Sequence, residues 1–486
     1  MVQRHRFIFR QLRKWASSHS EHHSIPTSAD FSGSRKTRPT LIRLFFFFFL
    51  AVAFILLCSS STMVPRSRFS GTEESRISSR AYSPSCSSIS NNSMCCDRSA
   101  FRTDICFLRG EVRAHSPSAS LFLSSAVVHE ETIRPYTRKW ETAVMSLVSE
   151  LRLLSGGSET APACDVVHSS PAVVFSTGGY TGNVFHEFND GILPLYLTAH
   201  HHNRDVVLLI LDYHNWWVSK YAEILAGLSR FPPINFSNDS RTHCFPSTTI
   251  GLRIHDDLTV DPTQLPLNIS IFSFRQLLDD AYRHRTRWFS LAMAPTNLGE
   301  IANHKPRLAL LLRNGSRSLE NEGEVVAMAE EMGFAVEVMR PERTTELAAI
   351  YMVLNHSEVM LGVHGAAMTH FLFMRPGSVF VQIIPIGTEW ASETYYGAPA
   401  RRMGLRYISY KVKAEESSLW KEYGKEHPVV REPGTINARG WEETKRVYLD
   451  RQNVRLDLGR FRRTMDRVRR YLEGRRPETV EEEERN

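Results

Sequence analysis

The hydrophobic pattern is clearest beyond Pro306, where short apolar runs alternate with segments of helical period. Arg307–Arg313 (RLALLLR) predicts a strand, and Glu322–Met332 a helix with Val325, Val326 and Met332 facing inward. Phe334–Met339 predicts a second strand, and Thr345–Asn355 a second helix with Leu347, Ile350, Tyr351 and Leu354 on its apolar face. Glu358–Gly362 is a third strand. A short helix then opens near Ala366, Pro376–Gly377 makes a turn, and Val379–Ile384 is a fourth strand. This alternation predicts an α/β fold with a parallel sheet covered on both faces. Such sheets bind ligands beyond the carboxyl ends of their strands. Upstream, Ala172–Phe175 reads as a strand, which Gly178 and Gly179 break before a helix begins near Asn183. Near the other end, Gly459–Leu472 sets Phe461, Met465, Val468 and Leu472 on one face of an amphipathic helix with a basic outer side.

Two corners of this pattern carry candidate chemistry. The first follows the third strand, at His364, Gly365, Ala366 and Ala367. Loop amides and a helix N-terminus present unpaired N–H groups and partial positive charge, a setting for a phosphate. Gly365, Ala366 and Ala367 let a ligand approach the backbone closely, and His364 adds a side-chain donor. Arg313 and Arg317, in RNGSR, stand at another strand end. Two guanidiniums beside a helix N-terminus suit a pyrophosphate. The alternative is that these arginines are solvated or paired with Glu320 and Glu322. The second corner is GGYTGNVFHEFNDGILP, from Gly178 to Pro194. His186 and Asp190, four apart, share a helical face, with Glu187 one position off it. Either could serve as a general base; alternatively the pair stabilises the start of a helix.

Ordered motifs along most of the chain add a resemblance. CDRSAFRTDICFLRGEVR, IRPYTRKW and GGYTGNVFHEFNDGILPLYLT come first; RNGSRSLENE, GFAVEV, GVHGAAMTHFLFMRPGSVFVQIIP, TYYGAPARRMGLRYISY and YLDRQNVRLDLGRF follow. Together, from about Cys96 to Arg470, they resemble the plant members of glycosyltransferase family 61. The resemblance implies a GT-B fold, two Rossmann-like domains facing across a cleft, and inverting transfer from a nucleotide sugar in the Golgi or endoplasmic reticulum. It implies donor binding by Arg313, Arg317, Glu322, His364, Gly365, Ala366 and Ala367, and catalysis by Asp190 or His186. The plant-like subgroup favours UDP-xylose or UDP-arabinofuranose as donor and xylan as acceptor. Many members read HGAGLTN where this chain has HGAAMTH, so Ala367 stands for a glycine and His370 for an asparagine. That difference is read as subgroup identity. In a GT-B enzyme the C-terminal helix would pack back across the first domain. A membrane-anchored, non-catalytic glycan-binding protein and a transferase acting on glycoproteins are the competing readings.

Composition fixes the expected setting. Leu44–Cys58 is an unbroken apolar run, long enough with Ser59–Val64 to span a bilayer. Nine Lys or Arg residues precede it against two acids, so the C-terminal part should be lumenal. Forty-three residues before the apolar core are long for a cleaved signal peptide, and its five-Phe block argues against a mitochondrial presequence. Those basic residues account for the whole net charge of +7, leaving the lumenal part near neutral and without a case for nucleic-acid binding. The expected divisions are a cytosolic tail (1–43), an anchor (44–64) and a flexible stem (65–93). An acceptor-side domain (94–300), a nucleotide-sugar domain (301–450) and a C-terminal helix with an acidic tail (451–486) follow. Six cysteines follow the anchor, without zinc-site spacing, and Cys96 with Cys106 is the candidate disulfide. Sequons at Asn91, Asn235, Asn238 and Asn268 are glycosylation candidates; those at Asn314 and Asn355 fall beside the expected donor site. No Asp-x-Asp pair occurs, so no metal cofactor is expected; Asp256–Asp257 and Asp279–Asp280 are adjacent pairs whose side chains would diverge on a strand. No Gly-x-Gly-x-x-Gly follows a predicted strand, which disfavours a dinucleotide oxidoreductase.

Overall fold

Two sheets, built on different sequence patterns, organise the chain. The computed structural model describes residues 86, 88–157, 161–265, 269–293 and 305–475, with backbone alone for 288–293. The basic tail, the anchor at 44–64 and Asn268 lie outside the described residues. Among those described, no helix is long and apolar enough to cross a membrane.

The first sheet holds β1 (Ser93–Asp97), β2 (Ile105–His115), β3 (Ser120–Ser124), β4 (His129–Ile133), β5 (Leu151–Gly156), β6 (Val166–Val167), β7 (Ala172–Ser176), β8 (Val207–Leu211), β9 (Ile234–Asn235) and β10 (Thr242–Ile250). Its order is β4-β5-β3-β2-β10-β7-β8-β9, with β1 beside β2 and β6 beside β10. β10, β7, β8 and β9 run parallel, whereas β2 is antiparallel to β1, β3 and β10. This corrects the expectation of a Rossmann-like first domain: the sheet is mixed. The cause is visible in the strands themselves. β7 (AVVFS) and β8 (VLLIL) are buried at every position, as parallel strands covered on both faces are. Along most of β2 (ICFLRGEVRAH), buried and more exposed positions alternate, as in an antiparallel strand with one wet face.

The second sheet contains β11 (Arg307–Leu311), β12 (Ala335–Met339), β13 (Val359–Val363), β14 (Val379–Ile384) and β15 (Arg406–Lys411). All are parallel, in the order β12-β11-β13-β14-β15. The alternation of strands and helices beyond Pro306 therefore gives the sheet it predicts, extended by the edge strand β15. The segment after β13, Ala366–Phe373, is a 3-10 helix.

Six helices position the site: α1 (Leu193–Ala199), α2 (Ala222–Leu228), α3 (Ile271–Met293), α4 (Glu322–Glu331), α5 (Leu347–Asn355) and α6 (Leu458–Glu473). One hydrophobic core joins the two sheets. Phe175 and Ile210 of the first share it with Leu311 and Met360 of the second, through α1, α3 and α5. A second core lies on the other face of β11, β13 and β14, where Val325 and Met328 of α4 meet Phe461, Met465 and Val468 of α6. The C-terminal helix thus stays on the second sheet and does not cross to the first. Its apolar stripe is matched by α4, and Arg462 pairs with Glu331 at 2.7 Å.

The end of the expected stem is part of the folded unit. Cys86 is bonded to Cys95, and Arg109 donates to the Ile89 carbonyl at 3.3 Å. Cys96 and Cys106 are bonded across the β1–β2 pair, where they stand directly opposite. Cys164 and Cys244 form a third disulfide.

Candidate functional site

The order of the second sheet decides where its ligand crevice lies. The chain passes from β11 out to β12 and then returns to the other side of β11 as β13, so a crevice opens beyond the carboxyl ends of β11 and β13. Arg313 and Arg317 follow β11, and His364–Ala367 follow β13. Parallel pairing of Leu311 with Gly362 brings the two segments together.

Arg317 is held in a left-handed backbone conformation, φ +57°, and its amide donates to the Gln452 carbonyl. Its side chain is turned inward, 9% exposed, and Nη1 donates to the His364 carbonyl at 3.2 Å. Burial, and then the charge of Arg313, pull its pKa down to about 10. Burial lowers that of Arg313 as well. The Nε atoms of both are buried without a partner. The expected competitors do not supply one: Glu322 lies outside the cleft, paired with Arg340 at 2.5 Å, and Glu320 is exposed. One buried and one half-buried guanidinium side by side, with no acid among the described residues in salt-bridge contact and only the charge of Asp450 acting on them from a distance, are unfavourable unless an anion completes them. The Arg313 tip packs against the Gly365 backbone, where a Cβ would force the guanidinium to shift.

His364 is buried, and its Nδ1 accepts from Gln382 Nε2 and Ser392 Oγ, each at 3.0 Å. Gln382 is oriented in turn, because its Oε1 accepts from the Tyr407 hydroxyl at 2.7 Å. With two donors on Nδ1, the ring proton sits on Nε2. Burial and the nearby Arg317 and Arg313 depress the pKa to about 3, so the imidazole is a neutral donor. Sequence reading missed Gln382, Ser392 and Tyr407. A signal for Gln382 was present: it is the single polar residue in VFVQII, and it is fully buried.

The cleft has a volume of about 470 Å³. One wall is formed by Leu311–Asn314 and Gly365–Met368, and the facing wall by Gly182–Val184 and Lys220 from the first sheet's layer. His370 also lines it. Its Nδ1–H donates to the Ala367 carbonyl at 2.8 Å, and burial drives its pKa to about 4. Asn314 lies on the cleft wall. Asn355 does not: it closes α5 at the opposite edge of the sheet and donates to the Phe373 carbonyl. Asn91 and Asn238 are exposed, and Asn235 is half-buried.

The second corner reaches the same cleft. Asn183 caps the helix by accepting from the Phe185 amide at 3.0 Å. Val184–His186 leads into a π-helical turn, Glu187–Ile192, and then into α1. His186 Nδ1 lies 2.6 Å from Asp190 Oδ2 and 3.1 Å from Arg138 Nη2, and Arg138 Nε donates to the same Asp190 oxygen at 2.9 Å. Asn189 donates to the other oxygen at 2.7 Å. Asp190 is 0% exposed; burial alone would raise its pKa, but the His186 hydrogen bond and the Arg138 charge hold it below the usual carboxylate range. Its oxygens are engaged, so its capacity is to hold the His186 ring. Glu187 is occupied elsewhere, accepting from the Gly182 amide and the Tyr221 hydroxyl. Phe185 packs on Tyr396 (5.8 Å), and Tyr396 on His364 (5.5 Å), linking the two corners.

Two apparent metal candidates dissolve on inspection of their partners. Glu111 lies beside Cys164 and Cys244, but those cysteines are bonded to each other. Asp256 and Asp257 do not diverge; both bind Arg102, at 3.3 and 2.7 Å.

A crevice with unpartnered guanidinium nitrogens, and a His186–Asp190–Arg138 cluster on the segment that follows Gly182–Val184 of its lining, are the outline of a group-transferring enzyme in a two-sheet α/β scaffold. Comparison makes the class specific. The sequence profile described as Glycosyltransferase 61 matches residues 182–381. A xylan glycosyltransferase of Arabidopsis thaliana is 46% identical over 89% of this chain and 92% of its own length. An alpha-1,3-arabinosyltransferase of Oryza sativa is 38% identical over 76% of this chain and 63% of its own. A beta-1,2-xylosyltransferase from the same species is 35% identical over 76% and 82%. The protein is a glycosyltransferase, and the chain belongs to glycosyltransferase family 61.

Proposed function

We propose that the protein is an inverting, metal-independent transferase that moves xylose or arabinofuranose from a UDP-sugar to xylan. The observation that carries this reading is the pair of guanidiniums at the β11/β13 crevice, one buried and one half-buried, without an acid in salt-bridge contact. Arg313, Arg317, the His364 Nε2–H and the amides opening the 3-10 helix hold the pyrophosphate. His186 Nε2 takes the proton of an acceptor hydroxyl as its oxygen attacks the anomeric carbon. The bond from that carbon to the phosphate oxygen breaks, and UDP departs with the electron pair. The fixed positive groups stabilise the charge that develops on it without needing a divalent ion. Asp190 accepts from His186 Nδ1–H and so favours the tautomer with Nε2 unprotonated. Relatives named for xylan, xylosyl and arabinosyl transfer support the choice of sugar and acceptor.

The enzyme works in the Golgi lumen, held by one span over 44–64 with its tail in the cytosol. Three disulfides support an oxidising compartment. The test is UDP release by the purified lumenal part with UDP-xylose, UDP-arabinofuranose and other UDP-sugars, with and without xylo-oligosaccharides and EDTA. Acceptor-stimulated release that survives EDTA is expected. UDP binding without turnover of any donor would instead favour a glycan-binding protein.

A further inference from the structure

An aromatic strip runs across the face that carries His186. Phe101 and Trp140 stack at 5.1 Å with their planes 15° apart. The Arg138 guanidinium lies 5.1 Å from Trp140 and 5.8 Å from the Tyr180 ring, while holding Asp190. Tyr180 stacks on His186 at 4.1 Å. Beyond His186 the path continues through Phe185 (5.2 Å) to Tyr395 (5.1 Å) and Trp390 (5.8 Å). Its ends are open to solvent: Phe101 is 59%, Trp140 36% and Trp390 44% exposed. The strip therefore has an exposed aromatic end on either side of the imidazole.

Its cationic groups are neutralised within the strip. Arg102 is bound by Asp256 and Asp257, Arg138 by Glu141 and Asp190, and the Tyr180 hydroxyl donates to Glu141. Two guanidiniums against four carboxylates leave surplus negative charge, which disfavours a polyanion. Ring faces carry partial negative charge and attract the C–H faces of a sugar ring. The flanking ion pairs retain atoms that can hydrogen-bond hydroxyl groups at the edges. Exposed aromatic groups with a polar surround mark a binding surface. Resting on the transferase reading above, we infer that this strip is the acceptor site, and that it takes an uncharged polymer of pyranose rings laid across His186. With stacking positions on both sides of the imidazole, the sugar is added to a residue inside the chain, and acceptors must be long enough to reach both ends.

The test uses Trp140→Ala and Trp390→Ala in the whole lumenal part, with xylohexaose and xylobiose as acceptors. Trp441→Ala serves as control, because that residue is equally exposed and lies off the strip. Each strip variant should raise the KM for xylohexaose by about two- to tenfold, the scale of one aromatic contact, with a smaller change for xylobiose. UDP affinity and melting temperature establish that each variant is folded. Retardation in a native gel containing neutral xylan reads binding without turnover. Trp-dependent retardation in a protein that transfers nothing would overturn the proposed reaction and leave the strip standing. Absence of retardation in the unmutated protein, or no effect of either strip variant on retardation and on the xylohexaose KM, would overturn the strip.

Discussion

His364 owes its chemistry to residues on other segments. Gln382 on β14 and Ser392 beyond it both donate to Nδ1, so Nε2–H is the donor available to a phosphate. The groups facing this ring, Arg313, Arg317, Tyr396, Ser392 and Gln382, do not titrate near neutrality. The affinity for a UDP-sugar, whose pyrophosphate has no proton to lose in this range, should therefore be flat between about pH 5.5 and 8. Gln382→Glu would draw the ring proton to Nδ1 and favour the doubly protonated ring. Its affinity should be reduced at pH 8 and recover as pH falls; calorimetry at several pH values that gave parallel curves would refute the tautomer assignment. Arg317→Ala should weaken UDP binding by about 1.5–3 kcal/mol, the scale of a charge-assisted hydrogen bond. Unchanged affinity in a folded variant places the phosphates elsewhere. At the other corner, His186→Ala should lower kcat by about 10²–10⁴ with UDP affinity retained. Asp190→Asn should lower kcat less, yet also lower the melting temperature, because Arg138 loses its buried partner. An equal or larger kcat loss at Asp190 would reverse the two roles.

Among elements, the strands were the most legible, because burial pattern follows neighbour geometry. The uninterrupted apolar runs of β11, β13 and β14 required cover on both faces and so a parallel sheet. The alternation in β2 carried the antiparallel half of the first sheet, and it was there to be read. Helix partners were less legible. The stripe Phe461, Met465, Val468 predicts a covered face but not what covers it; α4 does, within the second sheet's own layer. Phe461→Ala should therefore cost about 3–5 kcal/mol of stability in equilibrium denaturation. A loss under about 1 kcal/mol would mean that α6 contributes little to that core. The spacing of His186 and Asp190 was legible as a shared helical face. That Asp190 would be consumed by Arg138 was not, since Arg138 lies fifty-two residues earlier and reaches it only through the fold.

At the scale of the whole molecule, the proposed topology rests on the charge and apolar pattern of the first 64 residues. If the proposed topology holds, protease added to sealed microsomes should remove only the basic tail and leave residues 65–486 intact. Digestion of the C-terminal part without detergent would reject it. The sequence by itself determined the parallel sheet beyond Pro306, the loops at the carboxyl ends of β11 and β13, and the His186–Asp190 spacing. Each depends on contacts within a few residues or on a repeating burial period. Only the tertiary structure decided that the arginines face one another without an acid, that Gln382 and Tyr407 set the His364 tautomer, and that Asp190 is a buried support. It also decided that the two sheets share one core, closing the space beneath the cleft. These outcomes depend on which distant segments meet, and a hydrophobic run specifies that it must be covered without specifying by what.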